Sequence, residues 1–380
     1  MSSRNGSVWA IIMCGTMMLT GQWDKRAAGQ IIARDLYTLS LPPGMANLDV
    51  QPAYQPAVGG QVVGSANNNL GLQAVLWNGT GTAIDLTSTA SGYSSGQANG
   101  TDGFQQVGVA GGPATGGVGH AVLWTGAGSI VDLAPTNLPG ATTVAIAIGG
   151  TQIVGIIESG NSVQALLWNG PSNTAVNLNP FQIGISQSYP LATDGHEQVG
   201  YGWSTNSSNA HALLWTGTAA SAVDLNPSGF TFTHAIGVGS GQQVGSGFGT
   251  ATGGDGHALL WTGTANSVVD LNSFGLTSSD AFSTNGTWQV GSGVGPSTSG
   301  VPHAFLWNGS ASSGIDLEDA LPAEFTQSEA FSIDAAGDIF GLATDSGGNL
   351  HAVEWVVPEP NLLPAIGGAA LAMLLRLRRR

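Results

Sequence analysis

The sequence predicts an all-β chain: a seven-bladed β-propeller of roughly four-stranded blades, with an N-terminal signal segment and a short hydrophobic C-terminal tail. Three observations carry this. A five-residue core ending in Trp recurs seven times, at Trp77, Trp124, Trp168, Trp215, Trp261, Trp307 and Trp355, with steps of 47, 44, 47, 46, 46 and 48 residues. So steady a period marks a repeat architecture. Each copy carries the same flanking motifs. The composition, 59 Gly in 380 residues with only 8% charged, suits many short strands and turns.

Each repeat supplies four strand signals. The Trp strand reads His-Ala-Leu-Leu-Trp at 257–261, with His120, His211, His303 and His351 in the same slot elsewhere and Gln73 and Gln164 in two copies. In extended chain His257, Leu259 and Trp261 share one face and Ala258 and Leu260 the other. Both faces are apolar, so each sheet should be covered on both sides, the small Ala leaving room for a large side chain of the next blade. Burying a Trp contributes at most roughly 4–6 kcal/mol. Upstream stands an apolar pair closed by Gly, as in Gln243-Val244-Gly245, and before it a weaker stretch such as Thr233-His234-Ala235-Ile236. After the Trp, Asn-Gly or Thr-Gly signals a hairpin, followed by apolar-Asp-Leu, as in Val269-Asp270-Leu271.

The ends complete the count. Asp35-Leu36-Tyr37-Thr38-Leu39 resembles the apolar-Asp-Leu strand without a Trp strand ahead of it, and Trp355 has no Asp-Leu strand behind it. The N-terminal segment should therefore close the last blade. Residues 1–30 fit a secretory signal: Arg4, an apolar run around Val8–Leu19, then small and polar residues. The expected organisation is a signal peptide over 1–30, one propeller over 31–356 and a tail over 357–380.

Charge narrows the partners. No Lys or Arg lies between Arg34 and Arg376, against 22 Asp and Glu. The body lacks the cations that grip phosphate, which argues against nucleic acid. Cys14 is the single cysteine, so the body has neither disulfide nor thiol chemistry.

Two resemblances rest on these residues. His-Ala-Phe-Leu-Trp at 303–307, with its upstream Gln-Val-Gly and downstream Asp-Leu, resembles the HAF family of extracellular repeats over residues 35–356. That implies a secreted bacterial propeller of no defined activity. Val357-Pro358-Glu359-Pro360, the apolar segment Leu362–Leu375 and then Arg376, Arg378, Arg379 and Arg380 closely resemble a PEP-CTERM sorting tail. This implies an exosortase-like membrane protease as partner, with transient insertion in the inner membrane before release to the cell surface or beyond. About 14 apolar residues make a helix of only about 21 Å, short of a roughly 30 Å hydrocarbon core. The arginines favour the cytoplasmic side.

Chemistry is sparse. Gln replaces His in two copies, so the repeat His residues read as structural hydrogen-bonding groups. The repeat Asp reads as a polar residue discouraging pairing at an outer edge strand. Gly92-Tyr93-Ser94-Ser95-Gly96 matches a nucleophile elbow but lacks the strand and helix around it. Glu318, Asp319, Glu324, Glu329, Asp334, Asp338 and Asp345 could hold Ca²⁺ or flank a sugar, yet read as solvated loop acids; no other cofactor is implied. The sequence therefore favours a non-catalytic surface or matrix scaffold, not an enzyme, with exopolysaccharide or surface proteins as partners. A second reading is a carbohydrate-binding propeller, on Tyr93, Tyr189 and Trp203. A third, a propeller hydrolase, requires converging carboxylates on one rim, and no pair stands out.

Overall fold

The computed structural model describes residues 31–357, apart from 51–56, 80, 88–91, 128, 137–139, 205–206 and 208. They form seven antiparallel sheets in which strand order follows chain order. Blade 5 is representative: Phe230–Gly239, Gln242–Gly249, His257–Trp261 and Val269–Asp270. The first strands of blades 2 to 7 meet those of their neighbours, and in blade 1 the Ala57–Val58 strand meets those of blades 7 and 2, so these strands surround the axis. The Asp-Leu strands form the rim. The predicted seven-bladed propeller is the observed fold.

Blade 7 pairs Phe325–Ile333, Asp338–Asp345 and Leu350–Val356, and its outermost strand is Ile32–Thr38 from the other end of the chain. The displaced Asp-Leu strand closes the ring as expected. Arg34 Nη1 donates to Glu354 Oε2 at 2.9 Å across this seam. Arg34 is the only Lys or Arg among the described residues.

All seven repeat tryptophans are fully buried. The Ala and Leu of one blade face the bulky residues of the next: Ala258 and Leu260 pack with Phe305 and Trp307, and Ala212 and Leu214 with Leu259 and Trp261. The cores thus lie between blades, and each sheet is covered on both faces.

The Gly that closes each apolar pair is explained by a bulge. The inner strands of blades 2 to 7 slip register at a matching place, between Ala235 and Gly237 in blade 5, where a second slip lies between Phe230 and Phe232. The slip drives the His234 carbonyl against Gly245, where a Cβ would lie 1.9 Å from that oxygen. The same arrangement recurs at Gly291 and Gly108. The Gln of the motif has a separate task at the opposite end of the blade. Gln289 Nε2 donates to Gln242 of the preceding blade at 2.9 Å, while its Oε1 accepts the Gly309 N–H at 2.7 Å. Gln198 joins Gln152 and Gly217 in the same way. Buried amides therefore clasp neighbouring blades, which satisfies their hydrogen-bonding groups.

Candidate functional site at the propeller axis

Strand register aligns one three-residue row in every blade. Its outer member is the Ala of the Trp strand, always buried; in blade 5 the row is His234, Ser246 and Ala258. The inner members are Asp49, Gln97, Val144, Tyr189, His234, Asp280 and Glu329. None of these seven is fully buried, although the residues flanking them pack inward. Thr233, for instance, accepts the Ala212 N–H of the preceding blade at 2.9 Å, and Ser279 accepts that of Ala258 at 3.0 Å. The frame is constant at the rim, and the residue presented near the axis differs from blade to blade.

Three consecutive blades present carboxylates there: Asp280 in blade 6, Glu329 in blade 7 and Asp49 in blade 1. Burial, reinforced by the charge of Asp280, pushes the Glu329 carboxyl above the ordinary glutamate range, while a hydrogen bond with Ser292 works in the opposite direction. Ser292 is the middle member of the Asp280 row, so it reaches across the junction of blades 6 and 7. Glu329 and Asp49 line a cavity of about 410 Å³ together with Gln327, Phe331, Leu342 and Thr344.

The adjoining sector is aromatic. Tyr189 stacks on Tyr201 with ring centroids 5.6 Å apart and 18° between planes, and Tyr201 stacks on Trp203 at 5.6 Å and 21°. His234 lies 4.1 Å from Tyr201 and 4.2 Å from Phe232, which stacks on Phe248 at 5.2 Å. Burial among these rings pushes the His234 imidazole down to about 4. Its Nε2 is buried without a hydrogen-bond partner among the described residues.

The repeat histidines lie elsewhere, towards the rim. Nδ1 of His120, His211, His257 and His303 bonds Oδ2 of Asp132, Asp224, Asp270 and Asp316 at 2.7–2.8 Å. His351 bonds Asp35 of the closing strand at 3.0 Å. In blade 3 both partners change together, Asn177 donating to Gln164 at 2.6 Å. The Asp is therefore a partner of the repeat His. Its other oxygen accepts a backbone N–H two residues on, as Asp270 does from Asn272. This corrects the reading of Asp as a deterrent to edge pairing. The constant spacing of 12 or 13 residues and the joint change to Gln and Asn carried that signal in the sequence.

Other expectations divide. Tyr189 and Trp203 come together on Tyr201, whereas Tyr93 packs against the core between blades 1 and 2. Gly92 lies in a turn and Ser95 opens a strand with no helix after it, so no nucleophile elbow forms. The reading of the late acids as solvated loop residues fails for Glu329, which lies on an inner strand, and for half-buried Glu318. Among the described residues no group of three or more His, Cys, Asp or Glu is placed to hold a metal ion, Ca²⁺ included. Val357 ends the described chain. Residues 1–30, Pro358, Glu359, Pro360, Arg378, Arg379 and Arg380 lie outside it, as do the sorting and export expectations they carry. No described helix is long and apolar enough to cross a membrane.

No family model and no curated protein matches the chain. Solved structures do. The β-propeller domain of the Trilobed protease from Pyrococcus furiosus aligns with a TM-score of 0.52 at 9% identity, over 82% of this chain and 95% of that one. An oligogalacturonate lyase in complex with manganese aligns with a TM-score of 0.51 at 11% identity, over 87% and 98%. A structure described as one of two prolyl endopeptidases aligns at 0.47 and 10% identity, over 81% of this chain and 47% of that one. At such identities the likeness is one of fold. The described side chains here form no ligand cluster that would fit the manganese of the lyase. The expectation of a non-catalytic scaffold is nonetheless corrected. The propellers matched above a TM-score of 0.5 are those of a protease and a lyase, and here Asp280, Glu329 and Asp49 hold the same inner position in three consecutive blades.

Proposed function

We propose that this protein is a propeller hydrolase that cleaves glycosidic bonds in uncharged saccharides, with Glu329 as proton donor and Asp280 as its carboxylate partner. The observation that carries the reading is the half-buried Glu329 carboxyl, raised by burial and by the charge of Asp280, on the wall of the cavity between blades 7 and 1. Glycoside hydrolysis needs two carboxyl groups whose surroundings separate their roles. Glu329, held towards its protonated form, gives its proton to the departing glycosidic oxygen. Asp280 activates water or stabilises the developing positive charge at the sugar carbon. Water supplies the hydroxyl to one product and restores the proton. Asp49, on the same cavity wall, extends the acidic sector. The charge balance selects the substrate: a chain of net charge −15 with no Lys or Arg between Arg34 and Arg376 repels uronates and phosphates. The oligogalacturonate of the similar lyase is thus a poor match. The exported setting expected from the chain ends agrees with a polysaccharide substrate.

The test is release of reducing ends from neutral polysaccharides by the full chain. Glu329→Gln and Asp280→Asn should each lower kcat/KM by roughly 10²–10⁴-fold with a melting temperature no lower than that of the wild type. Because the donor must be protonated, kcat/KM should fall as pH rises through the raised pKa of Glu329. A Glu329→Gln variant with wild-type turnover, or no cleavage of any neutral polysaccharide, would overturn the proposal.

A further inference from the structure

The cavity between blades 7 and 1 combines carboxyl groups with an apolar wall. In the inner rows Asp280 stands beside Ser292 and Asp49 beside Ser65, but Glu329 stands beside Leu342. Two residues further along the same strand, Gln327 pairs with Thr344, which pairs in turn with Leu350. Exposure falls along this wall: Gln327 is exposed, Glu329 is half-buried, and Leu342 and Phe331 are buried. Leu48 and Val50 of blade 1 complete the lining. They and Leu350 stay only partly buried, although they pack against the apolar cluster of this junction. We infer that the cavity is a pocket for a methyl-bearing sugar: a neutral pyranose whose hydroxyls meet Gln327, Thr344 and Glu329 and whose methyl-ended substituent rests against Leu48, Val50 and Leu350.

Size, wall and charge support the assignment. The volume of about 410 Å³ is that of a small-molecule pocket, in which a mostly apolar lining carries a few polar groups. Apolar side chains left partly in water are stabilised when an apolar group covers them. The amide of Gln327 and the hydroxyl of Thr344 both donate and accept, as sugar hydroxyls do. An anionic sugar is repelled by Asp49 and Glu329 on the same walls, with Arg34 the only Lys or Arg among the described residues. A wholly apolar ligand would strip water from these carboxyl and amide groups without replacing its hydrogen bonds. A sugar with one methyl-ended substituent satisfies both halves of the lining. A 6-deoxy, an O-methyl or an O-acetyl group supplies the same chemistry.

The inference rests on the hydrolase reading in taking a sugar as the ligand, and it adds which sugars the same site selects. Leu48, Val50 and Leu350 are then specificity residues, touching the substituent and not the scissile bond.

Binding and cleavage are separable by experiment. The full chain carrying Glu329→Gln is titrated calorimetrically with matched neutral oligosaccharides. Fucosyl against galactosyl disaccharides test the 6-deoxy group, and O-methylated or O-acetylated xylotetraose against plain xylotetraose tests the other two. In at least one pair the methyl-bearing member should bind roughly tenfold tighter or more, and that pair identifies the substituent. Adding Val50→Thr or Leu48→Asn, each close to the original in volume, should remove most of the preference and leave the affinity for the plain member nearly unchanged. Leu48→Met keeps the wall apolar and should keep the preference, which controls for folding. Equal affinities within every pair, tighter binding of the plain members, a preference untouched by Val50→Thr and Leu48→Asn, or no binding of any of these sugars would overturn the pocket. Cleavage of neutral polysaccharide by the wild type with no methyl preference would leave the hydrolase reading standing alone. A methyl preference in a chain that cleaves nothing would leave the pocket standing alone.

Discussion

The repeat His and Asp act as a matched pair. Asp270 gives one oxygen to His257 and the other to the Asn272 N–H, so it joins the two outer strands and fixes the turn after them. Blade 3 shows the alternative pair, Gln164 with Asn177. His257→Gln alone should therefore cost about 1 kcal/mol, and adding Asp270→Asn should recover part of it. Urea midpoints of the two variants test this; a double variant no more stable than the single would break the coupling. Glu318 is a different case. It occupies the slot of Asn226 and Asn272, its Oε2 accepts from Ser328, and its Oε1 is buried without a partner among the described residues. Burial raises its carboxyl above the ordinary 4.5, with Asp316 and Asp319 adding to the rise while Ser328 and His303 oppose it. A raised folded-state pKa means that stability falls as pH climbs from the unfolded value through the folded one. Glu318→Gln should melt higher than wild type at pH 7, and the difference should vanish below the ordinary value. A constant difference across pH would show that charge is not the cause.

At the scale of the strand, the Trp periodicity, the hairpin signals and the displaced Asp-Leu segment were all legible, because each is a local pattern repeated in phase. The glycine was legible as a position but not as a cause: only the bulge at Ala235 shows that the His234 carbonyl fills the space of a Cβ. The closing strand makes the sharpest prediction. Ile32–Thr38 pairs with Leu350–Val356 and brings Asp35 to His351. Deleting residues 31–42 should lower the melting temperature markedly and promote association through the bared edge of blade 7. An unchanged melting temperature and a monomeric elution profile would contradict closure by this strand. Arg34→Ala should cost no more than about 1 kcal/mol, since its ion pair with Glu354 is partly solvated.

For the whole molecule, the candidate site was the least legible part. Asp49, Asp280 and Glu329 lie far apart in the sequence and belong to no shared motif. They take matching places only when register sets each at the inner end of its own blade's row and closure brings blade 7 against blade 1. A signal did exist, namely six residue types over seven copies of a repeat phase whose outer partner is always Ala. The expectation for the tail stands as a proposal with its own measurement. Protein recovered from the medium of its host should end near residues 357–361 by mass spectrometry, and an intact chain through Arg380 in the membrane fraction would refute processing. The closing seam also has a consequence in time. One half of it is made near the start of synthesis and the other only after some 300 further residues. At about 5–20 residues per second that is an interval of roughly 15–60 s. Each new blade can cover its predecessor during that interval, but blades 1 and 7 keep an uncovered apolar face until the last strand emerges. The nascent chain is thus an open crescent with two adhesive ends, and whatever holds them apart until residue 350 decides whether the ring closes on itself or on a neighbour.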